Sequence, residues 1–272
     1  MSLVARFSAK FAAGEGTVGA GQTDELRSRT MRGFIDLHSH WVSAIDDGAK
    51  NLPDSVALLT ALRGAGFDSV VATPHMRPGL FDNTEADLRR AYEATRAAIA
   101  DAPGLPGELL LSSEHFFDDI VFQRLMDGKA LPYPGGHAAL VEFPTRAFPA
   151  RIANRFSDLM RRKIRPILAH PERYEPVWSD AAAVEPLLDG GALLLLDVAA
   201  LAGKYGRAPR RAADELLERN YYYAACSDAH KASDVPEVIA GIKILFDRLG
   251  KEEAMFLLRE GPRTILDGTV ES

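Results

Sequence analysis

Apolar and polar positions along the chain alternate between two periods. Short apolar runs, closed by a polar residue, recur between stretches with helical spacing. Runs of the first kind are Gly33–His40, Ser69–His75, Glu108–Glu114, Ala138–Phe143, Arg165–His170, Ala192–Val198 and Tyr221–Asp228. Between them lie helical patterns. One opens at Pro53 and ends at Gly64 and Gly66; another starts at Asn83-Thr84, with Asp87 placed for a capping box, and reaches about Ala102. Others are expected over 118–126, 149–162, 181–188 and 209–219, with two closing helices over 235–249 and 252–259. Seven strand–helix alternations, several with strands apolar throughout, predict a parallel sheet covered on both faces. No Gly-rich phosphate loop follows any strand, so a closed or nearly closed single-domain βα barrel is expected over an open doubly wound sheet.

The strand-ending residues are His38, His75, Glu114, Glu142, His170, Asp197 and Asp228, spaced 27 to 39 residues apart. In a βα barrel these positions share the C-terminal rim, where chemistry sits. Five of the seven histidines (His38, His40, His75, His170 and His230) fall at or just beyond such strand ends. His38-Ser-His40 and Asp228-Ala-His230 are both i, i+2 pairs, whose side chains share one face of an extended strand. With Asp47 and Glu114 they make eight N/O donors, too many for one ion but suited to two or three adjacent divalent ions. Mixed imidazole and carboxylate without thiolate favours Mn, Fe or Zn over Ca or Mg. His115 should face away from Glu114's side of its strand, and His137 precedes its strand, so both read as structural or solvated.

Composition narrows the classes. A chain of 272 residues, 47% apolar and 26% charged, can bury a sizeable core. A net charge of −6 argues against nucleic acid as a partner. The single cysteine, Cys226, excludes a disulfide framework and fits the reducing cytoplasm. It lies in an apolar strand, so it reads as buried rather than nucleophilic. No apolar run suits a membrane span. Residues 1–30, with a Gly-rich tract over 14–22, read as a flexible extension ahead of one catalytic unit spanning 31–272.

Taken together, His38-Ser-His40 with Asp46-Asp47-Gly48, Ala72-Thr-Pro-His75, Ser113-Glu114, Leu140-Val-Glu-Phe143, Ala169-His-Pro-Glu-Arg-Tyr174 and Ala225-Cys-Ser-Asp-Ala-His230 resemble the PHP superfamily. More narrowly, they resemble its bacterial capsule-biosynthesis tyrosine phosphatases of the CpsB or YwqE type. The resemblance covers residues 33–268. It implies a distorted (βα)7 PHP barrel and three divalent ions, usually manganese. It places His38, His40, Glu114 and Asp228 on one ion. Glu114 bridges to a second held with His75 and His170, and Asp47 and His230 serve the third. It implies hydrolysis of phosphotyrosine on a protein, such as the Tyr-rich tail of a bacterial tyrosine autokinase in capsular or exopolysaccharide export. The alternatives are a small phosphomonoester such as histidinol phosphate, or a catalytically weak regulatory subunit.

Arg173 is the expected phosphate clamp, with an ion pair to a rim acid as the competing reading, and Arg77 is a second substrate-binding candidate. His230 and Asp47 are candidates to protonate the leaving group. Asp36 is either a partner fixing an imidazole tautomer or a plain strand-start residue. Asp47 reads as a ligand and Asp46 as a turn former. Relatives carry an arginine where this chain has Val235, and Lys231, Arg77 or Arg207 are the candidate substitutes. Phe116 and Phe117 either shape a phenyl slot or pack in the core.

Overall fold

A computed structural model describes residues 32–270. The expected N-terminal extension lies outside the described residues. In chain order the first half holds β1 (Phe34–Ser39), α1 (Leu52–Gly64), β2 (Phe67–Ala72), β3 (His75–Met76), α2 (Glu85–Ala98), β4 (Glu108–Leu111), β5 (Glu114–Phe116), α3 (Asp119–Met126) and β6 (Ala138–Glu142). The second half holds α4 (Ile152–Arg161), β7 (Arg165–Ala169), a 3-10 turn (Pro171–Arg173), α5 (Glu175–Ser179), α6 (Glu185–Asp189) and β8 (Leu193–Asp197). It ends with α7 (Val198–Leu201), α8 (Arg207–Glu218), β9 (Tyr222–Cys226), α9 (Val235–Met255) and α10 (Gly261–Asp267).

All seven expected strands are found, but two are broken. Thr73-Pro74 separates β2 from β3, and Ser112-Ser113 separates β4 from β5. Pro74 has no N–H to give the ladder. Around the break, Thr73 N donates to Ser39 O at 2.9 Å and Ser112 N to Ala72 O at 2.8 Å. The offset between the paired strands is unchanged across it, Ala72 facing Leu111 and His75 facing Glu114. The strands therefore fall into two parallel sheets, β1-β2-β4 and β3-β5-β6-β7-β8-β9, in place of the single closed barrel expected. Beyond the end of β9 the backbone pairing with β1 is one isolated parallel bridge, Ser39 to Ala229, with His40 N on Ala229 O and Asp228 N on His38 O, both at 3.0 Å.

Helix ends follow their caps. Asn51 accepts from Asp54 N to start α1, and Thr84 with Asp87 forms the expected box at α2. The two closing helices meet at Gly250, whose φ of 76° breaks α9 internally. Alternation along the strands sorts the core into two clusters. Ile35, Leu37, Leu140, Ile167, Leu193, Leu195 and Cys226 pack together, while Phe34, Leu168, Leu194 and Leu196 pack under the helices. Among the described residues no helix is long and apolar enough to cross a membrane.

Helix α9 lies directly on α7. A Cβ added at Gly241 would sit 1.9 Å from Val198 O, a backbone atom that cannot swing aside. Gly241→Ala is expected to destabilise the protein by about 2–3 kcal/mol through overpacking, lowering the thermal midpoint by several degrees in a melt followed by circular dichroism.

Candidate metal centre

The eight expected donors converge at one rim. His38 ends β1, His75 opens β3, Glu114 opens β5, and His170 and Asp228 follow β7 and β9. The register of β1 against β2 slips between Asp36 and Ser39, a bulge of the kind that re-aims side chains beside a site. His170 and Asp228 have φ of 36° and 44°, a left-handed backbone that costs about 1–3 kcal/mol each in a non-Gly residue. Both turn the chain sharply at the strand end.

Four atoms form the centre. His38 Nε2 lies 3.1 Å from His40 Nε2, 3.3 Å from Glu114 Oε2 and 3.2 Å from Asp228 Oδ1. His40 Nε2 lies 3.5 and 3.6 Å from the same two oxygens. Ligands about 2.1 Å from an ion stand roughly 3.0 Å apart in an octahedron and 3.4 Å in a tetrahedron. These separations are the edges of such a polyhedron. Glu114 then reaches outward in two directions, Oε1 to His170 Nε2 at 3.0 Å and Oε2 to His75 Nδ1 at 3.2 Å. At the open end, Asp47 Oδ1 lies 3.4 Å from His75 Nε2 and 3.5 Å from His230 Nε2.

The donors group as His38, His40 and Asp228; His38, Glu114 and His170; His40, Asp47, His75 and His230; and His75, Glu114 and Glu142. These groups overlap: Glu114 stands both with His38 and His170 and with His75 and Glu142, and His75 also stands with His40, Asp47 and His230. Glu142, assigned no role from the sequence, faces His75 Nδ1 at 3.3 Å. Its only signal in the sequence was its place at a strand end.

The surroundings fit a cation. Asp228 Oδ1, His75 Nδ1 and Glu142 Oε1 are buried without a hydrogen-bond partner among the described residues. Burial opposes charge on the His75 imidazole, yet Glu114, Asp47 and Glu142 hold its pKa up at about 10. Burial likewise opposes ionisation of Glu114 and Asp228, but the facing imidazoles hold both carboxyls well below their usual range. The cluster demands positive charge, which protons or divalent ions would supply.

The outer partners orient the imidazoles. His40 Nδ1 donates to Asp46 Oδ2 at 2.8 Å, which leaves Nε2 as the lone pair aimed inward. Asp46 also accepts from His75 N and Gly48 N, so it organises the loop rather than merely turning it. Asp36, by contrast, fixes no imidazole. It accepts from Ser227 Oγ at 2.5 Å, Ser227 N at 2.9 Å and His38 N at 3.3 Å, tying β1 to the end of β9, because Ser227 reaches it first. Burial pushes the Asp36 carboxyl up to about 6, against these hydrogen bonds. His115 points away from the cluster, with Nδ1 donating to Leu140 O and Nε2 accepting from Leu131 N. Cys226 is buried, and burial raises its thiol pKa well above the usual value.

A Cβ at Gly48 would lie 2.0 Å from His40 O. Gly48→Ala must push the Asp46–Asp47 loop off His40. It is expected to lower metal affinity on the order of 10- to 100-fold, the usual scale for disturbed outer partners, measurable by metal titration.

Arg173 donates to Asp228 Oδ2 at 2.5 Å, and its guanidinium lies 4.7 Å from the ring centre of Tyr205, whose hydroxyl faces Asp197. The ion pair weighed against a phosphate role is therefore made, and it holds the guanidinium beside the cluster. Arg77 makes no ion pair among the described residues and lies over the Phe116 ring at 4.1 Å. Val235 is 3% exposed at the start of α9, unable to present anything to a phosphate. Of the cations at this rim, Lys204 was not foreseen; it lies 3.6 Å from Asp234 and over Tyr205.

Comparison with known proteins agrees with this geometry. The family model described as capsular polysaccharide synthesis, CpsB/CapC, matches residues 34–267. The tyrosine-protein phosphatase YwqE of Bacillus subtilis is 29% identical over 201 residues, covering 72% of this chain and 77% of its own. The tyrosine-protein phosphatase CpsB of Streptococcus pneumoniae is 25% identical over 241 residues, covering 86% and 98%. A chain from the crystal structures of YwqE and CpsB, described as unique metal-dependent tyrosine phosphatases, superposes with a TM-score of 0.80 at 26% identity, covering 88% of this chain and 96% of that one. With the match running through all eight converging donors, the chain belongs to the CpsB/CapC family of capsular polysaccharide synthesis.

Proposed function

We propose that this chain is a metal-dependent protein-tyrosine phosphatase that acts in the cytoplasm on the phosphorylated tail of a bacterial tyrosine autokinase. We read its two sheets as one distorted (βα)7 barrel, with three divalent ions, manganese first, at the rim. The observation that carries the reading is the convergence of His38 Nε2, His40 Nε2, Glu114 Oε2 and Asp228 Oδ1 at ligand-edge distances. The relatives named as tyrosine phosphatases support the substrate class.

Divalent ions bound here would supply Lewis acidity to the phosphoryl oxygens and to the attacking water. The chain's own residues do the rest. Glu114, His38, His40 and Asp228 form the inner seat, and His75, Asp47 and His230 the outer one. Arg173, fixed through one nitrogen on Asp228, turns its remaining N–H donors to a phosphoryl oxygen. A phenol has a pKa of about 10, so the leaving group needs little acid help. At the open end the partly exposed His230 is the candidate to pass it a proton. Partial burial opposes ionisation of Asp47, but the facing imidazoles of His230 and His75 hold its carboxyl well below the usual range, ionised and suited to a ligand's role.

The test is metal analysis of the purified protein, followed by hydrolysis of a phosphotyrosyl peptide and of histidinol phosphate. Chelation is expected to abolish hydrolysis of the peptide and Mn to restore it. Protein without bound metal and without activity after Mn addition would end the enzyme reading. Faster turnover of histidinol phosphate would move it to the small-substrate alternative.

A further inference from the structure

The loop after β3 is unusually well built for a rim loop. Arg77 N donates to Phe81 O at 3.0 Å, and Phe81 N to Arg77 O at 2.8 Å, closing an antiparallel bridge. Gly79 N donates to Asp82 Oδ1 at 2.7 Å. The Asn83 side chain donates to His75 O at 2.9 Å and Ile45 O at 3.2 Å, fastening this loop to the one that carries Asp46 and Asp47.

What the loop presents is apolar. Leu80 at its tip is 60% exposed, the highest value among the large exposed hydrophobic residues described. The Phe81 ring lies parallel to the His75 imidazole, with centroids 5.2 Å apart and planes within 4°. Behind it, Arg77 covers Phe116. Leu80, Phe81 and Phe116 belong to neither apolar core. Phe117, by contrast, is 1% exposed and packs in the main core. Two apolar side chains outside the core on an ordered loop, Leu80 and Phe81, call for another partner.

Their position says which. His75 Nε2 faces Asp47 at the open end of the cluster, and Asp47 is half exposed. A phosphoryl group seated on the cluster carries its organic group one ester oxygen further out, at the level where Phe81 leans on His75. An aromatic ring there would meet Phe81 within ordinary ring–ring contact.

We propose that Leu80 and Phe81 form the subsite for the substrate's aromatic ring, and that this loop selects aryl over alkyl phosphomonoesters. The proposal rests on the phosphatase reading above. It replaces the direct phosphate role considered for Arg77 with one behind the loop, stacked on Phe116.

The test uses phenylphosphonate and methylphosphonate as inhibitors of the Mn-loaded full chain hydrolysing a phosphotyrosyl peptide. Neither is hydrolysed, so leaving-group quality drops out. Wild type should bind phenylphosphonate more tightly. Leu80→Ala and Phe81→Ala should each raise its inhibition constant about five- to tenfold, while that of methylphosphonate moves less than about twofold. Because Phe81 touches His75, metal content is measured first. Should Phe81→Ala lose metal, Phe81→Leu and Leu80→Ala decide. Two constants that move together, or a wild type indifferent to the phenyl group, overturn the subsite and leave the phosphatase reading intact. A wild type with no phosphatase activity removes both.

Discussion

Glu114→Gln is expected to strip more than one equivalent of metal from the protein and to reduce kcat/KM on the order of 10³-fold, because the lost charge is worth several kcal/mol at a metal centre. Glu114 faces four imidazoles. Its Oε2 lies 3.3, 3.5 and 3.2 Å from His38, His40 and His75, and its Oε1 lies 3.0 Å from His170. The amide keeps the shape and one acceptor oxygen but loses the charge that links the inner and outer donors. Elemental analysis with steady-state kinetics checks this, with far-ultraviolet circular dichroism showing that the fold persists. A variant with full metal content and wild-type kcat/KM would show that Glu114 is not the bridging ligand.

Arg173→Ala should lower kcat/KM by about 10- to 100-fold, the loss of one or two hydrogen bonds to a charged group, with most of it in KM. Arg173→Lys should recover only part, since a point charge cannot grip Asp228 and a phosphoryl oxygen with one planar fork. The kinetics also separate two roles. If kcat falls with metal loss and KM stays unchanged, Arg173 acts through Asp228 and not on the substrate.

Much of this site could be read in the chain because its chemistry is tied to strand ends. His38 and His40 needed no tertiary knowledge to point at one place, whereas Asp228 and His230 lie beyond the end of β9, with Asp228 in a left-handed turn, and reach the cluster without sharing a strand face. What could not be read depends on contacts far apart in sequence. Asp36 could be read as a partner for an imidazole or as a plain strand-start residue, and neither reading showed that Ser227 reaches it across the β1–β9 junction. Tyr205 stacks on Arg173 from a loop after α7, where nothing local marks it. How the donors group depends on a bulge in β1 and on left-handed turns at His170 and Asp228, neither of which the local sequence announces. The breaks at Thr73-Pro74 and Ser112-Ser113 turned an expected continuous barrel into two sheets, and Pro74 was the only sign of them.

The junction of β1 with β9 has a consequence for how the protein is made. Asp36 and Ser227, which join these strands, are 191 residues apart. Strand β1 therefore waits for β9 before its second edge is bridged, and it carries His38 and His40 throughout. Closing so long a loop is slow, and contact with the final strand comes late. Half of the inner seat is synthesised at the beginning and Asp228 near the end, so a nascent chain holds no assembled centre until β9 is out. The donor cluster is thus complete only when β1 and the residues after β9 have both been made.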